Sequence, residues 1–313
     1  MIDTYGRKIT YLRLSVTKQC NLNCAYCKPE EGTCRETGLL LSPEEMVMAV
    51  RAAARLGVTK LRITGGEPLL RKDILPLVRD FSAIEGIREI SLTTNGTLLA
   101  SHADQLAQAG ISRINISLDT LNADKYKKIT GGGNLADALA GLEAALTASF
   151  SQVKINAVLL KGFNDDEIFE LASLTRKYPV DVRFIELMPL TGSKMLENAY
   201  LSADAVTEAL GKIEEYRQEG VAKLYRMEKG LGYVGLIKPV SDNFCAQCNR
   251  IRLTADGRIR PCLFDDKEYD IRGLNEEEMF EMFREAIRNK PEQHPDLLGD
   301  FSCMRRNMNE IGG

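Results

Sequence analysis

Between Ile9 and about residue 211 one pattern recurs six times: a short β-branched or apolar run, then a stretch with helical periodicity. The runs fall near 9–16, 59–64, 87–94, 112–118, 152–158 and 181–187. Parallel strands need long crossovers, usually helical, so this alternation predicts βα units joined into one parallel sheet. The first helix is the best marked. Ser42-Pro43-Glu44-Glu45 supplies an N-cap, a proline at the first helical position and a capping-box glutamate, and Gly57 suits the left-handed stop. Further helices are predicted near 72–83, 98–109, 134–147 and 165–177. Six units are fewer than the eight that close a (βα)8 barrel. The expected fold is therefore α/β, a partial (βα)6 TIM-like barrel, with a doubly wound sheet as the competing architecture.

Beyond about residue 215 the alternation is lost. Short strand-like pieces near 223–227, 233–238, 251–255 and 258–262 precede an amphipathic helix near 276–289. The chain is accordingly divided into a barrel over 1–215 and a smaller α+β unit over 216–313 that closes the barrel's open side. The polar residues that end the barrel strands are Gly65-Gly66-Glu67, Thr93-Thr94-Asn95, Ser117, Asp119, Asn156, Glu186 and Met188. In a parallel βα barrel that end is the active face.

With 313 residues, 44 % of them hydrophobic, the chain is long enough for a large core. Its formal charge of −3 argues against a nucleic-acid partner. No apolar run approaches the roughly 18 residues of a membrane span, and Met1–Arg7 lacks the apolar stretch of a secretory signal. A cytoplasmic protein without a membrane partner is expected. In a reducing compartment, closely spaced cysteines read as metal ligands before disulfides.

Six of the eight cysteines form two triplets: Cys20, Cys24 and Cys27, then Cys245, Cys248 and Cys262. Four thiolates close a metal site, whereas three on an iron–sulfur cluster leave one iron open to a small molecule. The residues alone leave two readings. Each triplet holds such a cluster, or each is a zinc site completed by Cys34 in the first case and by Cys303 or His294 in the second.

The loop Cys20-Asn21-Leu22-Asn23-Cys24-Ala25-Tyr26-Cys27, with an aromatic before its last cysteine, resembles the radical S-adenosylmethionine superfamily. So does Thr64-Gly65-Gly66-Glu67-Pro68 at the end of the second run. Cys245-Ala246-Gln247-Cys248-Asn249-Arg250-Ile251-Arg252-Leu253-Thr254-Ala255-Asp256-Gly257, with Cys262 following, is similar to the GTP 3′,8-cyclase family of molybdenum cofactor biosynthesis. That resemblance extends to Tyr5-Gly6-Arg7, to Phe184–Pro189 and to Ile311-Gly312-Gly313, and so covers nearly the whole chain.

The resemblance implies two [4Fe-4S] clusters, S-adenosylmethionine and GTP. A 5′-deoxyadenosyl radical takes the 3′ hydrogen of GTP, the carbon radical attacks C8, and reduction gives 3′,8-cyclo-7,8-dihydro-GTP. It places the S-adenosylmethionine site on Tyr26, Gly66, Ser117 and Met188. GTP falls to Arg13, Arg62, Thr93, Lys154, Arg250, Ile251 and Arg252, with Lys60 and Arg183 as weaker candidates. Arg13, Arg252 and the Gly312-Gly313 tail are assigned to catalysis, and His102 and His294 are not. The resemblance further implies an external one-electron donor, a downstream enzyme that forms the cyclic pyranopterin, and a homodimer. Two departures from the family pattern are a shortened stretch from Arg217 to Met227 and Lys28 at a commonly apolar position. A radical enzyme acting on a peptide, which usually carries more cysteines in its tail, and a zinc-stabilised binding module are the other classes this sequence admits.

Overall fold

The six barrel strands alternate polar and apolar residues, an unusual pattern for parallel strands, which are mostly covered by apolar layers on both faces. They are β1 (Tyr11–Ser15), β2 (Lys60–Thr64), β3 (Glu89–Thr94), β4 (Arg113–Ser117), β5 (Gln152–Leu159) and β6 (Val180–Glu186). The computed structural model describes residues 1–27, 39–189, 198–295, 297 and 306–312. Lys28, Cys34, Cys303 and Gly313 lie outside the described residues.

Register turns the alternation into two faces. Leu12 pairs with Leu61 and Leu61 with Ile90, while Arg13 pairs with Arg62 and Arg62 with Ser91. Successive side chains on a strand point to opposite faces. One face of the curved sheet is thus an apolar row, fully buried at Leu12, Leu61, Ile114, Ile155 and Phe184 in the main hydrophobic core. Each such side chain contributes about 2 kcal/mol. The other face is lined with arginine, lysine, asparagine, serine and threonine.

Helices cover the apolar face. They are α1 (Pro43–Arg55), α2 (Ile74–Ser82), α3 (Ala103–Ala109), α4 (Ala123–Ile129), α5 (Leu135–Thr147) and α6 (Ile168–Lys177). In α1, Ser42 Oγ accepts from Glu45 N at 3.2 Å and Glu45 Oε2 from Ser42 N at 2.8 Å, the capping box its sequence predicts. The unpredicted α4 buries only Tyr126 and Ile129, too few apolar positions to establish a period. Likewise α7 (Asp204–Leu210) buries only Val206.

The remaining strands are β7 (Glu214–Glu219), β8 (Ala222–Arg226), β9 (Val234–Ile237), β10 (Arg250–Leu253), β11 (Arg258–Arg260) and β12 (Tyr269–Asp270). They extend both edges of the barrel sheet. The order is β12-β11-β10-β1-β2-β3-β4-β5-β6-β9-β8-β7, with β10 parallel to β1 and β9 parallel to β6. The six-unit barrel is therefore open, and the C-terminal strands lengthen its sheet at both edges. Helix α8 (Glu276–Arg288) returns to pack on α1, with Arg55 Nη2 2.9 Å from Glu277 Oε2. Among the described residues, no helix is long and apolar enough to cross a membrane.

Candidate active site

Strand direction separates the two thiol triplets. Cys20, Cys24 and Cys27 follow the carboxyl end of β1, whereas Cys245 and Cys248 precede the amino end of β10, which runs parallel to β1. Strand β11 is antiparallel to β10, so Cys262 returns to that same amino end. The polar face lies between them, roughly 17 Å deep for a five-residue strand. None of these six cysteines is in a disulfide.

The first loop is held by backbone contacts. Asn23 N donates to Thr130 O at 2.8 Å and Ala25 N to Ile129 O at 3.0 Å, the carbonyls that end α4. Cys27 N donates to Cys24 O at 2.9 Å, closing the turn between two of the thiols. Gly66 N donates to Thr17 O at 2.8 Å and Glu67 N to Gln19 O at 2.7 Å. A Cβ on Gly66 would stand 2.1 Å from Gln19 O, so only glycine lets this strand end approach the cysteine loop. Beneath it Glu67, fully buried, accepts from Leu69 N, Asn95 N and Thr94 Oγ1 at 2.8 to 3.0 Å. Burial outweighs these bonds and pushes its carboxyl up to about 7.

Tyr26 Oη donates to Asp119 Oδ2 at 2.7 Å, and Val158 N donates to Asp119 Oδ1 at 2.8 Å. Burial raises Asp119 to about 6 and holds the Tyr26 phenol well above its usual range, with Asp119 and the Cys24 and Cys27 thiolates adding to the latter. Ser117 ends β4 beside Asn156. Met188 packs in a small apolar cluster with Phe264 and Leu297, next to Cys262.

The second triplet is gathered across the β10–β11 hairpin. The thiolates of Cys248 and Cys262 both act electrostatically on Cys245, whose thiol burial pushes up. Cys248 is held below the usual thiol range, against burial, by Lys290 and Arg250. Arg7 Nη1 donates to Cys245 O at 3.0 Å, so the amino-terminal segment braces this loop. A thiol lowered by nearby cations, as Cys248 is, suits metal ligation. Each triplet supplies three cysteine sulfurs outside any disulfide, a donor set that fits a [4Fe-4S] cluster with one iron left for a small molecule.

Between the triplets the register builds a cationic row. Arg13 sits between Arg62 and Arg252, and Tyr11 between Lys60 and Arg250. Burial, then Arg252, Arg62 and Arg250, push Arg13 well below the usual guanidinium range. Burial with Arg250 takes Arg252 down to about 9. Burial dominates both shifts, and the neighbouring guanidiniums add to it. Among the described residues, three buried polar atoms on this face have no hydrogen-bond partner: Arg13 Nε, Thr93 Oγ1 and Arg183 Nε. Unpartnered polar atoms of this kind are rare in a native interior and call for a polar ligand or ordered water.

Other sequence-predicted residues are placed as follows. Arg252 Nη1 donates to Gly312 O at 2.5 Å, bringing the tail to the lumen. A Cβ on Gly312 would stand 2.3 Å from Thr64 Oγ1, so the tail runs against the ends of β1 and β2. Arg250 and Arg252 share a face, as their spacing predicts. Ile251 points the other way into the core, leaving only its backbone for a ligand. Lys154 is buried and paired with Glu219 Oε1 at 2.5 Å and Asp181 Oδ2 at 3.9 Å. Lys60 is 3.4 Å from Glu89 at the amino end of the strands. His294 lies against Phe264, ring centroids 4.9 Å apart, and His102 bonds only locally to Ser101 and Leu98. A surface cavity of about 630 Å³ lined by Lys212, Glu214, Arg226 and Lys229 holds none of these residues.

Sequence reasoning missed Glu219, whose strand β7 is polar apart from Tyr216 and exposed up to Glu219 itself. It also missed the joint role of Asp256 and Arg306, which are 2.9 Å apart. A glutamate in a run without apolar alternation carries no local signal. Asp256, by contrast, lies within the second cysteine motif.

Residues 14–175 match the Radical SAM superfamily profile, and residues 180–296 match Molybdenum Cofactor Synthesis C. The chain belongs to the radical SAM superfamily. Streptococcus suis SuiB bound to S-adenosylmethionine superposes with a TM-score of 0.65 at 17 % identity, over 84 % of this chain and 63 % of that one. Native anSMEcpe with bound AdoMet gives 0.58 at 16 %, over 94 % and 84 %. These two share the fold. A GTP 3′,8-cyclase of Pelotomaculum thermopropionicum is 48 % identical, with 100 % of both chains covered. One from Peptoclostridium acidaminophilum is 44 % identical over 100 % of this chain and 98 % of the relative. Within the superfamily the chain is a member of the GTP 3′,8-cyclase family.

Proposed function

We propose that the polar lumen between the two thiol triplets is where GTP is held for cyclisation. The chain is a radical S-adenosylmethionine GTP 3′,8-cyclase, which converts GTP to 3′,8-cyclo-7,8-dihydro-GTP at the first step of molybdenum cofactor biosynthesis. Its cofactors are two [4Fe-4S] clusters and S-adenosylmethionine. The observation that carries the site assignment is the cationic row Arg62-Arg13-Arg252 with the orphaned Arg13 Nε and Thr93 Oγ1. Guanidinium forks match phosphate oxygens in charge and geometry.

In this reading Cys20, Cys24 and Cys27 hold the first cluster and Cys245, Cys248 and Cys262 the second. With S-adenosylmethionine, the first cluster supplies the 5′-deoxyadenosyl radical that abstracts hydrogen. Tyr26, Gly66, Ser117 and Met188 position the cofactor at the carboxyl ends of β1, β2, β4 and β6. Arg13, Arg62, Thr93, Lys154, Arg250, Arg252 and the Ile251 backbone hold the nucleotide. Their work is orientation: fixing ribose C3′ against the radical and guanine C8 against C3′. Gly312 and Gly313 serve catalysis, as the resemblance implies, with Arg252 holding Gly312. An external one-electron donor, a downstream pyranopterin-forming enzyme, homodimerisation, a cytoplasmic location and a unit boundary near residue 215 complete the proposal.

The test is anaerobic incubation of the reduced, cluster-loaded protein with GTP and S-adenosylmethionine. The expected outcome is 5′-deoxyadenosine together with the cyclised nucleotide, from protein carrying about eight iron atoms per chain. Deoxyadenosine formed with a peptide and not with GTP would overturn the assignment.

A further inference from the structure

The cations of the lumen are unequally supplied with counter-charge. Arg62 Nε reaches Ser91 Oγ at 3.4 Å and Arg252 reaches a backbone carbonyl, and neither is ion-paired among the described residues. Lys154 and Arg183 instead share one carboxylate oxygen, Glu219 Oε1, at 2.5 and 2.7 Å. Asp181, on β6, is the other acid facing Lys154, at 3.9 Å.

Glu219 comes from an unexpected place. Lys154 is on β5 and Glu219 ends β7, four strand steps along the order β5-β6-β9-β8-β7. On a flat sheet those strands would lie about 19 Å apart. The contact therefore requires the sheet edge to curl until the β7–β8 hairpin end stands over the polar face. Gly235 on β9 makes room, since a Cβ there would be 3.0 Å from Arg183 Cγ. Burial resists ionisation of Glu219, yet Lys154 and Arg183 hold it at about 2. The hairpin that carries it is the sheet's outermost ribbon, and β7 is exposed along almost its whole length. Edge elements with little buried surface open at low cost. A second partner waits outside: Arg217 Nη2 lies 3.4 Å from Glu219 Oε2 and is exposed.

We propose that Glu219 is the resident anion of the nucleotide site, which the triphosphate of GTP displaces from Lys154 and Arg183, so that this one carboxylate sets the affinity for substrate. The inference rests on the reading of the lumen as the GTP site. Unlike Arg62 and Arg252, buried Lys154 and Arg183 are supplied with a counter-charge in the empty protein, and carboxylate and phosphate oxygens serve the same donors. Both anions cannot occupy the pair at once, because like charges at that separation repel. Glu219 thus keeps Lys154 and Arg183 charged and placed between turnovers, and it lowers the apparent affinity by the fraction of molecules in which it is engaged.

Binding of GTP and of inorganic tripolyphosphate to the cluster-loaded protein is measured by anaerobic calorimetry for the wild type and Glu219→Gln. If Glu219 is engaged in about nine-tenths of empty molecules, both ligands bind the variant about tenfold tighter. Adding Lys154→Met to Glu219→Gln abolishes the gain. Should Glu219→Gln not fold, Glu219→Asp, too short to bridge both cations, gives a smaller tightening. Equal or weaker binding by the soluble variant overturns the exchange and leaves the GTP site standing. Failure of the wild type to bind either ligand overturns both.

Discussion

Glu67 illustrates how one side chain under the site can govern the behaviour of the whole chain. Its carboxyl ties the end of β2 to Thr94 and Asn95 at the end of β3, directly beneath Gly66. Burial holds it at about 7 against an ordinary 4.5, so the folded state retains a proton that the unfolded chain gives up earlier. The sign follows from linkage: the stabilisation is complete below about 4.5 and is lost as pH rises from there to about 7. Denaturant unfolding of the wild type across that window is expected to show this fall, and Glu67→Gln is expected to remove Glu67's share of it, at lower absolute stability because one acceptor oxygen is gone. An unchanged slope in the variant would assign the pH dependence elsewhere. The sequence marks Glu67 by its place after Gly65-Gly66, but its partners lie 27 and 28 residues further on. Residue spacing alone cannot reveal what a buried acid bonds to. The arginine row is legible in a different way: Arg13, Arg62 and Arg252 each occupy the polar phase of an alternating strand, so only the pairing of those strands remains to be supplied.

At the scale of elements, what the sequence discloses follows the amount of apolar surface an element buries. Strands β1 to β6 and helices α1, α2, α5, α6 and α8 each bury several apolar side chains, and their periods place them within a few residues. Helix α4 and strand β7 bury few, and both are invisible to periodicity while both touch the site. The carbonyls ending α4 receive the cysteine-loop amides of Asn23 and Ala25. Its N-cap Asn122 Oδ1 accepts from Asp124 N at 2.9 Å and Lys125 N at 3.1 Å. Asn122→Ala is expected to cost about 1 kcal/mol by leaving those donors uncapped. Because the far end of the helix carries the cysteine loop, the variant is further expected to lose iron from the first triplet faster than from the second during anaerobic chelation. Equal loss from both would separate α4 from the loop. Gly66→Ala acts on the same loop more directly, since its new methyl would meet Gln19 O at 2.1 Å. That variant is expected to fail to retain the first cluster while keeping the second, as read by iron content and the electron paramagnetic resonance of the reduced protein.

Across the whole molecule, a residue just before the first cysteine loop, the second cysteine motif and the base of the tail converge on one acid. Asp256, in the second motif, accepts from Thr254 Oγ1 at 2.6 Å, from Lys18 Nζ at 3.0 Å beside the first cysteine loop, and from Arg306 Nη1 at 2.9 Å at the base of the tail. Although burial opposes it, these donors hold Asp256 at about 2. Arg306 also reaches Glu268, which in turn pairs with Arg260. Asn309 Nδ2 adds a bond to Lys18 O at 3.3 Å. The tail is therefore fastened before it enters the lumen, and the geometry that brings Gly312 O to Arg252 depends on that fastening. Arg306→Met removes the fastening without touching any residue that would meet GTP. Its expected result is a fall in kcat of about tenfold, from loss of positioning alone, with the dissociation constant for GTP unchanged. Faster amide exchange over 306–312 should accompany it. A matching fall in GTP affinity would mean that Arg306 shapes the nucleotide site itself, whereas unchanged kcat with a mobile tail would remove the tail from the chemistry.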